Sequence, residues 1–322
     1  MIGNGLYLSS LEPATQQFLD QLAECGAFPL SGRSAASVRA ALAGLQSGPI
    51  GKPNANIEDM TFPVGPTGAV PVRIVRPKNT VGIIPVVMFF HGGGWVAGDV
   101  GTHDRLVREI AVAVHAAVVF VGFGRAPEVQ FPIQVEEAYA ATKYVVNNAD
   151  SLNLDGTRLA VVGDGAGGNM AAAVTIMSKQ RRGPKILFQV LFYPPTAANL
   201  EAGSYQDWRN GPWLTKRDME WFWDVYLPCR NDRADVIATP LSATIDQLRG
   251  LPEALLITAE LDVLRDEGES YARKLQEACV RTTCTRYIGA IHDFVMLNAL
   301  ADTPAARGAL GQAVAALRTA LA

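Results

Sequence analysis

Apolar runs alternate with helical patterns along most of the chain, and this alternation predicts the fold. Nearly continuous hydrophobic runs rich in Val, Ile and Phe occupy residues 83–90, 117–122, 159–163 and 186–192. Such runs are typical of parallel strands covered on both faces. Helical patterns lie between them at residues 104–115, 133–147 and 167–179. The alternation predicts a doubly wound, mostly parallel α/β sheet with helices on both faces.

Further strand patterns flank this central part. Residues 59–64 and 70–75 read as two strands, and the GPTG sequence at 65–68 between them indicates a hairpin. Strands are also predicted at residues 254–258 and 283–288, with a helix at 267–277 and an Ala-rich helix at 303–321 that ends the chain. The sheet therefore draws on both halves of the sequence.

Two stretches do not follow the alternation. Residues 1–50 contain short amphipathic pieces between Gly and Pro residues, which predicts a helical arm. Residues 194–251 hold four of the five tryptophans, and Thr215 followed by Asp218 predicts a helix start there. This stretch is either an aromatic helix packed on the core or an insertion that covers a site at the carboxyl ends of the strands. We favour the insertion because it interrupts the sheet pattern.

Composition narrows the class of protein. The 322 residues are 49% hydrophobic and 18% charged, with a net charge of −3. The near-neutral charge argues against a nucleic-acid or anionic-membrane partner. No secretory signal pattern or membrane-spanning apolar run is visible, so we expect a cytoplasmic protein. The four cysteines lack metal or redox spacing; Cys279 and Cys284 could form a disulfide, but free thiols are favoured.

A glycine-rich turn joins the strand at 159–163 to the helix that follows it. Residues 163–168 read GDGAGG, with Gly165 at the centre. A strand that turns sharply into a helix through Gly-x-x-x-Gly has the geometry of a nucleophile elbow, whose central side chain projects alone. The N–H groups and positive dipole end of the helix favour a developing oxyanion. Taken alone, the turn also fits a nucleotide-binding loop.

A second glycine-rich loop resolves that choice. Residues 91–94 read HGGG and follow the strand at 83–90 directly. Consecutive glycines allow the backbone to approach a substrate closely and to turn its N–H groups towards it. Such donors stabilise the tetrahedral oxyanion of acyl transfer. The two motifs together favour acyl-transfer chemistry over a merely flexible loop.

A histidine and an acid follow in the order that a catalytic triad of this type requires. His292 comes just after the last predicted strand, where a neutral imidazole can accept a proton and later return it. Asp262 follows the strand at 254–258 and can orient that imidazole, with Glu260 and Asp266 as alternatives. His91 and His103 are expected to be structural, and His115 carries no functional signal.

These motifs resemble those of the hormone-sensitive-lipase-like family of α/β-hydrolases, which includes many bacterial carboxylesterases. The resemblance covers about residues 55–320, with motifs in the family's order: HGGGW at 91–95, THD at 102–104, RAPE at 125–128, GDGAGG at 163–168, DVLRDEG at 262–268 and HDF at 292–294. It implies an α/β-hydrolase core formed by residues 51–193 and 252–322. The arm at 1–50 and the insertion at 194–251 would form a helical cap.

The resemblance also implies an activity. It implies hydrolysis of small-molecule carboxylic esters by a Ser–His–Asp acyl-enzyme mechanism, with His292 as base and acid and Asp262 orienting it. The oxyanion hole would consist of the N–H groups of Gly93, Gly94 and Ala166. No metal or organic cofactor is implied. Homodimers occur in this family, often through the final strand, here residues 283–288.

The chain departs from the family at the nucleophile itself. Gly165 stands where the serine belongs, and its neighbour Asp164 should point away from the turn. Without a hydroxyl no acyl-enzyme can form there, so we expect the chain as written to be nearly inactive. The glycine is either an engineered replacement in an active esterase or a natural loss in a pseudo-hydrolase that binds small molecules. The intact Asp262 and His292 motifs favour the engineered origin.

Overall fold

Eight strands form one mixed sheet in the computed structural model, which describes residues 11–24, 30 and 32–322. Their order across the sheet is β1-β2-β4-β3-β5-β6-β7-β8. The strands are β1 Ala55–Phe62, β2 Val70–Pro77, β3 Ile84–Phe90, β4 Ala117–Val121, β5 Leu154–Asp164, β6 Phe188–Phe192, β7 Glu253–Leu261 and β8 Thr282–Ile291.

Strand direction follows the sequence patterns. β1 and β2 form the predicted antiparallel hairpin, and β2 also pairs antiparallel with β4. All later neighbours in the sheet are parallel. Every residue of β3, β4 and β6 is buried, because both faces of these strands are covered. The α/β-hydrolase fold class predicted from the sequence is confirmed.

The longer helices connect and cover these strands. α3 packs against α10, and α4 packs against α5 and β5. The helices are α1 Pro13–Glu24, α2 Ala35–Gln46, α3 Asp104–Val114, α4 Ile133–Asn147, α5 Ala166–Gln180, α6 Ser204–Asp207, α7 Lys216–Tyr226, α8 Ile245–Leu248, α9 Arg265–Glu277 and α10 Pro304–Ala320.

Two strands run further than their sequence patterns predict. β7 continues to Leu261, and β8 continues past Gly289 to Ile291. Gly289 adopts φ +71° at the point where the β7–β8 register shifts, and its N–H donates to Glu260 Oε2 at 2.8 Å. A glycine that reads as a strand end in the sequence is therefore a strand irregularity here. The two strands end directly before Asp262 and His292.

The stretch at residues 194–251 is fully described and contains no strand. It holds α6, α7 and α8 with two short 3₁₀ helices at Arg230–Ala234 and Pro240–Ser242. α7 begins where the sequence predicts, because Thr215 and Asp218 form a capping box. Its buried residues include Phe222 and Trp223, so the helix turns an aromatic face inward.

Helix α2 is tied to loops of the core by side chains. Arg39 forms an ion pair with Glu128 at 2.6 Å and donates to the carbonyl of Val96 at 2.8 Å. The buried Gln46 amide donates to the carbonyl of Thr102 at 2.7 Å and to that of Met296 at 3.0 Å. These bonds hold α2 against the loops after β3 and β8. Residues 1–10, 25–29 and 31 of the predicted arm lie outside the described residues.

The described cysteines and helices bear on two further expectations. Cys229, Cys279 and Cys284 are free thiols, so the alternative disulfide between the last two does not form; Cys25 lies outside the described residues. Within the part of the chain that the structure describes, every helix is too short or too polar to be a transmembrane candidate.

The edge strand β8 exposes Ile288, and the dimer predicted through this strand stays a prediction.

The first turn of α5 lies in direct contact with the end of β3. An ideal Cβ placed on Gly167 would lie 1.9 Å from the carbonyl oxygen of Phe90, and one on Gly163 would lie 2.0 Å from the carbonyl oxygen of Gly167. Both neighbours are backbone atoms that cannot rotate away. Only glycine therefore allows the helix to start this close to the sheet.

We expect Gly167→Ala to lower the free energy of unfolding by about 3 kcal/mol or more, because the added methyl must displace backbone. Gly311→Ala is the matched control: Gly311 lies inside α10, and a Cβ there meets nothing within 4 Å. That variant should gain up to about 1 kcal/mol from helix propensity. Urea denaturation of both variants measures the difference. Equal effects would show that the contact between α5 and β3 is not tight.

Candidate active site

Gly165 forms the tip of the turn between β5 and α5. Its backbone has φ +50° and ψ −122°, a conformation that strains any residue with a side chain. The N–H of Gly165 donates to the carbonyl of Phe192 at 2.9 Å, which fixes the turn against the end of β6. The turn thus has the strained geometry expected of a nucleophile elbow.

Asp164 points away from the tip, as predicted, and binds the glycine-rich loop at residues 91–94 that follows β3. Its carboxylate accepts a hydrogen bond from the Gly92 N–H at 3.1 Å and lies 3.2 Å from His103 Nε2. Burial favours the neutral imidazole, but the Asp164 charge outweighs it and raises the pKa of His103. Thr102 Oγ1 contacts the other ring nitrogen of His103 at 2.8 Å. This buried cluster joins the elbow to the loop after β3.

His91, unlike His103, has a lowered pKa and stays neutral. Complete burial, together with the charge of His103, lowers the pKa of His91 to about 3. Its ring stacks on Phe123 with centroids 4.2 Å apart, and Nδ1 lies 2.9 Å from the Gly92 carbonyl oxygen, to which it can donate. His91 therefore shapes the glycine loop, in keeping with the structural role expected for it.

The three residues predicted to supply oxyanion donors line one cavity. Gly93, Gly94 and Ala166 all line it, and the two glycines adopt φ values of +102° and +62°. Among the hydrogen bonds of the described residues, none uses the backbone N–H of these three as its donor. Ala166 is the first residue of α5, so its N–H is one of the free donors at the helix start. These three N–H groups are therefore not used as donors within the described protein.

His292 and Asp262 form a buried pair beside the elbow. His292 Nδ1 lies 2.7 Å from Asp262 Oδ2, and Asp262 Oδ1 accepts from the Leu264 N–H at 3.0 Å. Burial opposes charging of the imidazole, but the carboxylates of Asp262 and Asp293 outweigh it and raise the pKa of His292 to about 9. The Asp262 carboxylate holds the ring with Nε2 turned towards Gly165.

The alternative acids have other partners. Glu260 accepts from the Gly289 N–H at 2.8 Å. Asp266 pairs with Arg265 at 2.7 Å and accepts from the Ser204 N–H at 2.8 Å. Of the three carboxylates weighed from the sequence, the geometry favours Asp262 as the partner of the imidazole.

Position 165 lies within reach of this pair. An ideal Cβ on Gly165 would lie 3.4 Å from His292 Nε2, an ordinary van der Waals distance. A hydroxyl carried on that carbon would be within hydrogen-bond distance of the imidazole nitrogen. Elbow, imidazole and carboxylate are thus aligned for nucleophilic catalysis, with the hydroxyl missing.

Asp293 is a site residue to which sequence reasoning gave no role. It adopts φ +65°, and its Oδ2 accepts a hydrogen bond from Trp213 Nε1 at 3.0 Å. Its Oδ1 lies 3.4 Å from His292 Nε2, and burial raises the pKa of the Asp293 carboxyl. Its place next to His292 in the HDF motif could have identified Asp293 as a residue near the site. The direction of its side chain depends on a backbone conformation that the motif does not show.

The walls of the cavity are apolar and come from two predicted cap segments and the core. The cavity has about 650 Å³ of empty space including its opening. α2 and the stretch before it contribute Leu30, Val38, Ala41, Leu42 and Leu45; residues 194–251 contribute Pro195, Trp213, Leu214, Met219 and Phe222. A largely apolar pocket with a few convergent polar groups is typical of a small-molecule site.

Comparison with known proteins gives the same picture. A family model described as alpha/beta hydrolase fold matches residues 87–296. The carboxylesterase NlhH of Mycobacterium tuberculosis is 35% identical over 316 residues, covering 97% of this chain and 96% of that protein. The crystal structure of a thermostable esterase from Pseudomonas putida ECU1011 superposes with a TM-score of 0.95 at 42% identity, covering 99% of both chains. An esterase of Pyrobaculum calidifontis gives a TM-score of 0.85 at 37% identity, covering 96% of this chain and 98% of that one.

Fold, site geometry and relatives agree, and the chain therefore belongs to the α/β-hydrolase fold family, in which the relatives compared above are a carboxylesterase and two esterases.

Proposed function

We propose that this protein has the site of a carboxylic ester hydrolase with a Ser–His–Asp mechanism. Gly165 lacks the hydroxyl group that would act as the nucleophile. The observation that carries the proposal is the orientation of the His292–Asp262 pair, whose Nε2 lies 3.4 Å from the position of a Cβ on residue 165. Gly93, Gly94 and Ala166 line the cavity that His292 also lines, and this supports their N–H groups as oxyanion donors. As written, the chain binds an ester without forming an acyl-enzyme.

The mechanism follows from these positions once a serine stands at 165. The hydroxyl attacks the ester carbonyl while His292 Nε2 takes its proton, and Asp262 stabilises the imidazolium. The N–H groups of Gly93, Gly94 and Ala166 bind the oxyanion, where the loss of one donor typically costs about 3 kcal/mol. His292 then protonates the leaving alcohol. Water repeats the sequence on the acyl-enzyme and releases the acid.

We further propose that the arm at residues 1–50 and the insertion at 194–251 act as a cap over the acyl and alcohol groups. Two observations support this: both segments line the cavity, and Arg39 and Gln46 anchor α2 to loops of the core. An apolar cap excludes water and strengthens the electrostatic interactions within the site. The substrates proposed are accordingly small, uncharged esters.

A binding protein on the same scaffold is the second candidate. The complete pocket around a glycine supports it, because ligand recognition needs no nucleophile. An engineered loss of serine and a natural pseudo-hydrolase both give this geometry. They differ in what the restored serine would do.

We expect Gly165→Ser to raise kcat/KM for p-nitrophenyl butyrate by several orders of magnitude, because nucleophile loss removes nearly all triad catalysis. Gly165→Ala is the matched control, since it adds the same Cβ without a hydroxyl and should stay inactive. Spectrophotometric assays of the three proteins measure this. If the serine protein stays inert yet binds the ester, the pocket serves recognition and the esterase proposal is wrong.

The same substitution should cost stability. The positive φ of residue 165 strains any side chain, so we expect Gly165→Ser to lower the free energy of unfolding by about 1–3 kcal/mol. Gly165→Ala should lose a similar amount, whereas Gly311→Ser in helix α10 should not destabilise the protein. Thermal unfolding midpoints compare the variants. A higher midpoint for the serine protein would contradict a strained elbow.

The serine protein should work best in alkaline solution. The general base must be neutral to accept the hydroxyl proton, and its neighbours raise the pKa of His292 to about 9. We therefore expect kcat/KM to rise with pH through a midpoint near pH 9 and to level off above it. A pH-stat assay with ethyl butyrate, corrected for spontaneous hydrolysis, gives the profile. A midpoint at the ordinary histidine value near 6.5 would show that the two carboxylates do not control the imidazole.

A further inference from the structure

One carboxylate oxygen in the cavity has no hydrogen bond and faces the His292 ring. The Asp293 side chain is buried, with the residue 8% exposed, and its Oδ2 is held by the Trp213 indole N–H at 3.0 Å. Its Oδ1 has no hydrogen-bond partner within the described part of the chain. Leaving a buried acceptor without a donor is costly, so the position of this atom calls for an explanation.

The backbone conformation of Asp293 also indicates that its carboxylate has a functional role. Its φ of +65° lies in the left-handed region, which glycine occupies more readily than aspartate. Strained residues of this kind concentrate at functional sites, where the surrounding structure holds them in place. Aspartate at this position brings a carboxylate to the cavity at a conformational cost that glycine would avoid.

His292 cannot be the missing donor while it acts as a base. Its Nε2 lies 3.4 Å from Asp293 Oδ1, close enough for an ion pair when the ring is charged. The general-base state needs a lone pair on Nε2, and the two facing atoms are then both acceptors. A donor from a ligand satisfies Oδ1 in that state.

The place of Oδ1 identifies which part of an ester it meets. His292 Nε2 protonates the leaving alcohol oxygen, so the alcohol group lies beside that nitrogen. Oδ1 is 3.4 Å from Nε2 and 3.9 Å from an ideal Cβ on Gly165. Among the described residues that line the cavity, only His292 and Asp293 have titratable side chains, so no lysine or arginine competes for the carboxylate.

We propose that Asp293 is a specificity-determining residue that selects esters whose alcohol group carries a second hydroxyl, which donates to Asp293 Oδ1. The proposal rests on the proposed ester site for the orientation of the ligand. Its ligand class is the monoester of a short diol, in place of the plain alkyl ester that an entirely apolar pocket would take.

The chain as it stands allows a direct binding test, because without a nucleophile it should leave the ester intact. The two probes are 2-hydroxyethyl hexanoate and propyl hexanoate, which differ by a hydroxyl in place of a methyl. We expect the hydroxyl ester to bind at least about tenfold more tightly, as for a hydrogen bond to a charged acceptor. Isothermal titration calorimetry at about pH 10, where most of the His292 imidazole is neutral, gives both dissociation constants.

Asp293→Asn is the decisive variant. An asparagine can accept the Trp213 bond only through its carbonyl oxygen, which places its NH₂ group where Oδ1 was. Two donors would then meet, so the preference for the hydroxyl ester should vanish or reverse. Asp302→Asn makes the same chemical change at an exposed position and should keep the preference.

Each outcome has a defined meaning. A tenfold preference that Asp293→Asn abolishes and Asp302→Asn retains supports the proposal. Equal binding of the two esters, no binding of either, or a preference that survives in Asp293→Asn overturns it. The Gly165→Ser protein separates this inference from the proposed activity: if it hydrolyses neither ester while the preference holds, the esterase proposal fails and the specificity of the pocket stands.

Discussion

The close contact between the first turn of α5 and the end of β3 is the constraint on which the site depends. With no side chain at Gly163 and Gly167, backbone meets backbone, and the elbow comes to lie beside the glycine loop that follows β3. Asp164 can then reach the Gly92 N–H and join the two loops from below. Any wider spacing would separate the N–H groups of Gly93 and Gly94 from that of Ala166, which are the oxyanion donors of the proposed mechanism. Packing at this junction therefore sets the geometry of the chemistry.

The role of each buried carboxylate in the site depends on the hydrogen-bond donors around it. Asp164, Asp262 and Asp293 are all buried beside histidines, yet each carboxylate meets different donors. Asp164 binds backbone and His103 beneath the elbow, whereas Asp262 is held by the Leu264 N–H and turned towards His292. Charges in a buried site interact strongly, so small differences in position assign separate roles to chemically identical groups.

The sequence predicts the parts of this arrangement that depend on local pattern. Continuous apolar runs identify the parallel strands, and residues that follow such strands meet at one edge of the sheet. That rule places Gly165, Asp262 and His292 at the carboxyl edge of the sheet before any coordinates are known. It cannot place the long-range anchors of α2: Gln46 binds the carbonyl of Met296, 250 residues away, and no local pattern reports that contact.

Local pattern also fails where one residue changes the course of the backbone. Gly289 reads as a strand end, but its positive φ lets β8 continue to Ile291. Asp293 reads as a companion of His292, and only its left-handed backbone turns the carboxylate into the cavity. Both cases concern a positive φ, which glycine permits but does not require and which aspartate adopts where the surrounding structure holds it, so the local sequence does not specify the angle.

A glycine at position 165 leaves the remainder of the site physically self-consistent. Glycine relieves the strain at position 165, and the His292–Asp262 pair keeps its own hydrogen bond without a serine. Removing either partner of such a buried pair is strongly destabilising, so structure alone is a reason to retain both. Asp293 differs, because its Oδ1 has no hydrogen bond in the described protein and faces only the His292 ring. With a ligand hydroxyl donating to that atom, as proposed above, the pocket serves binding whether or not residue 165 carries a nucleophile.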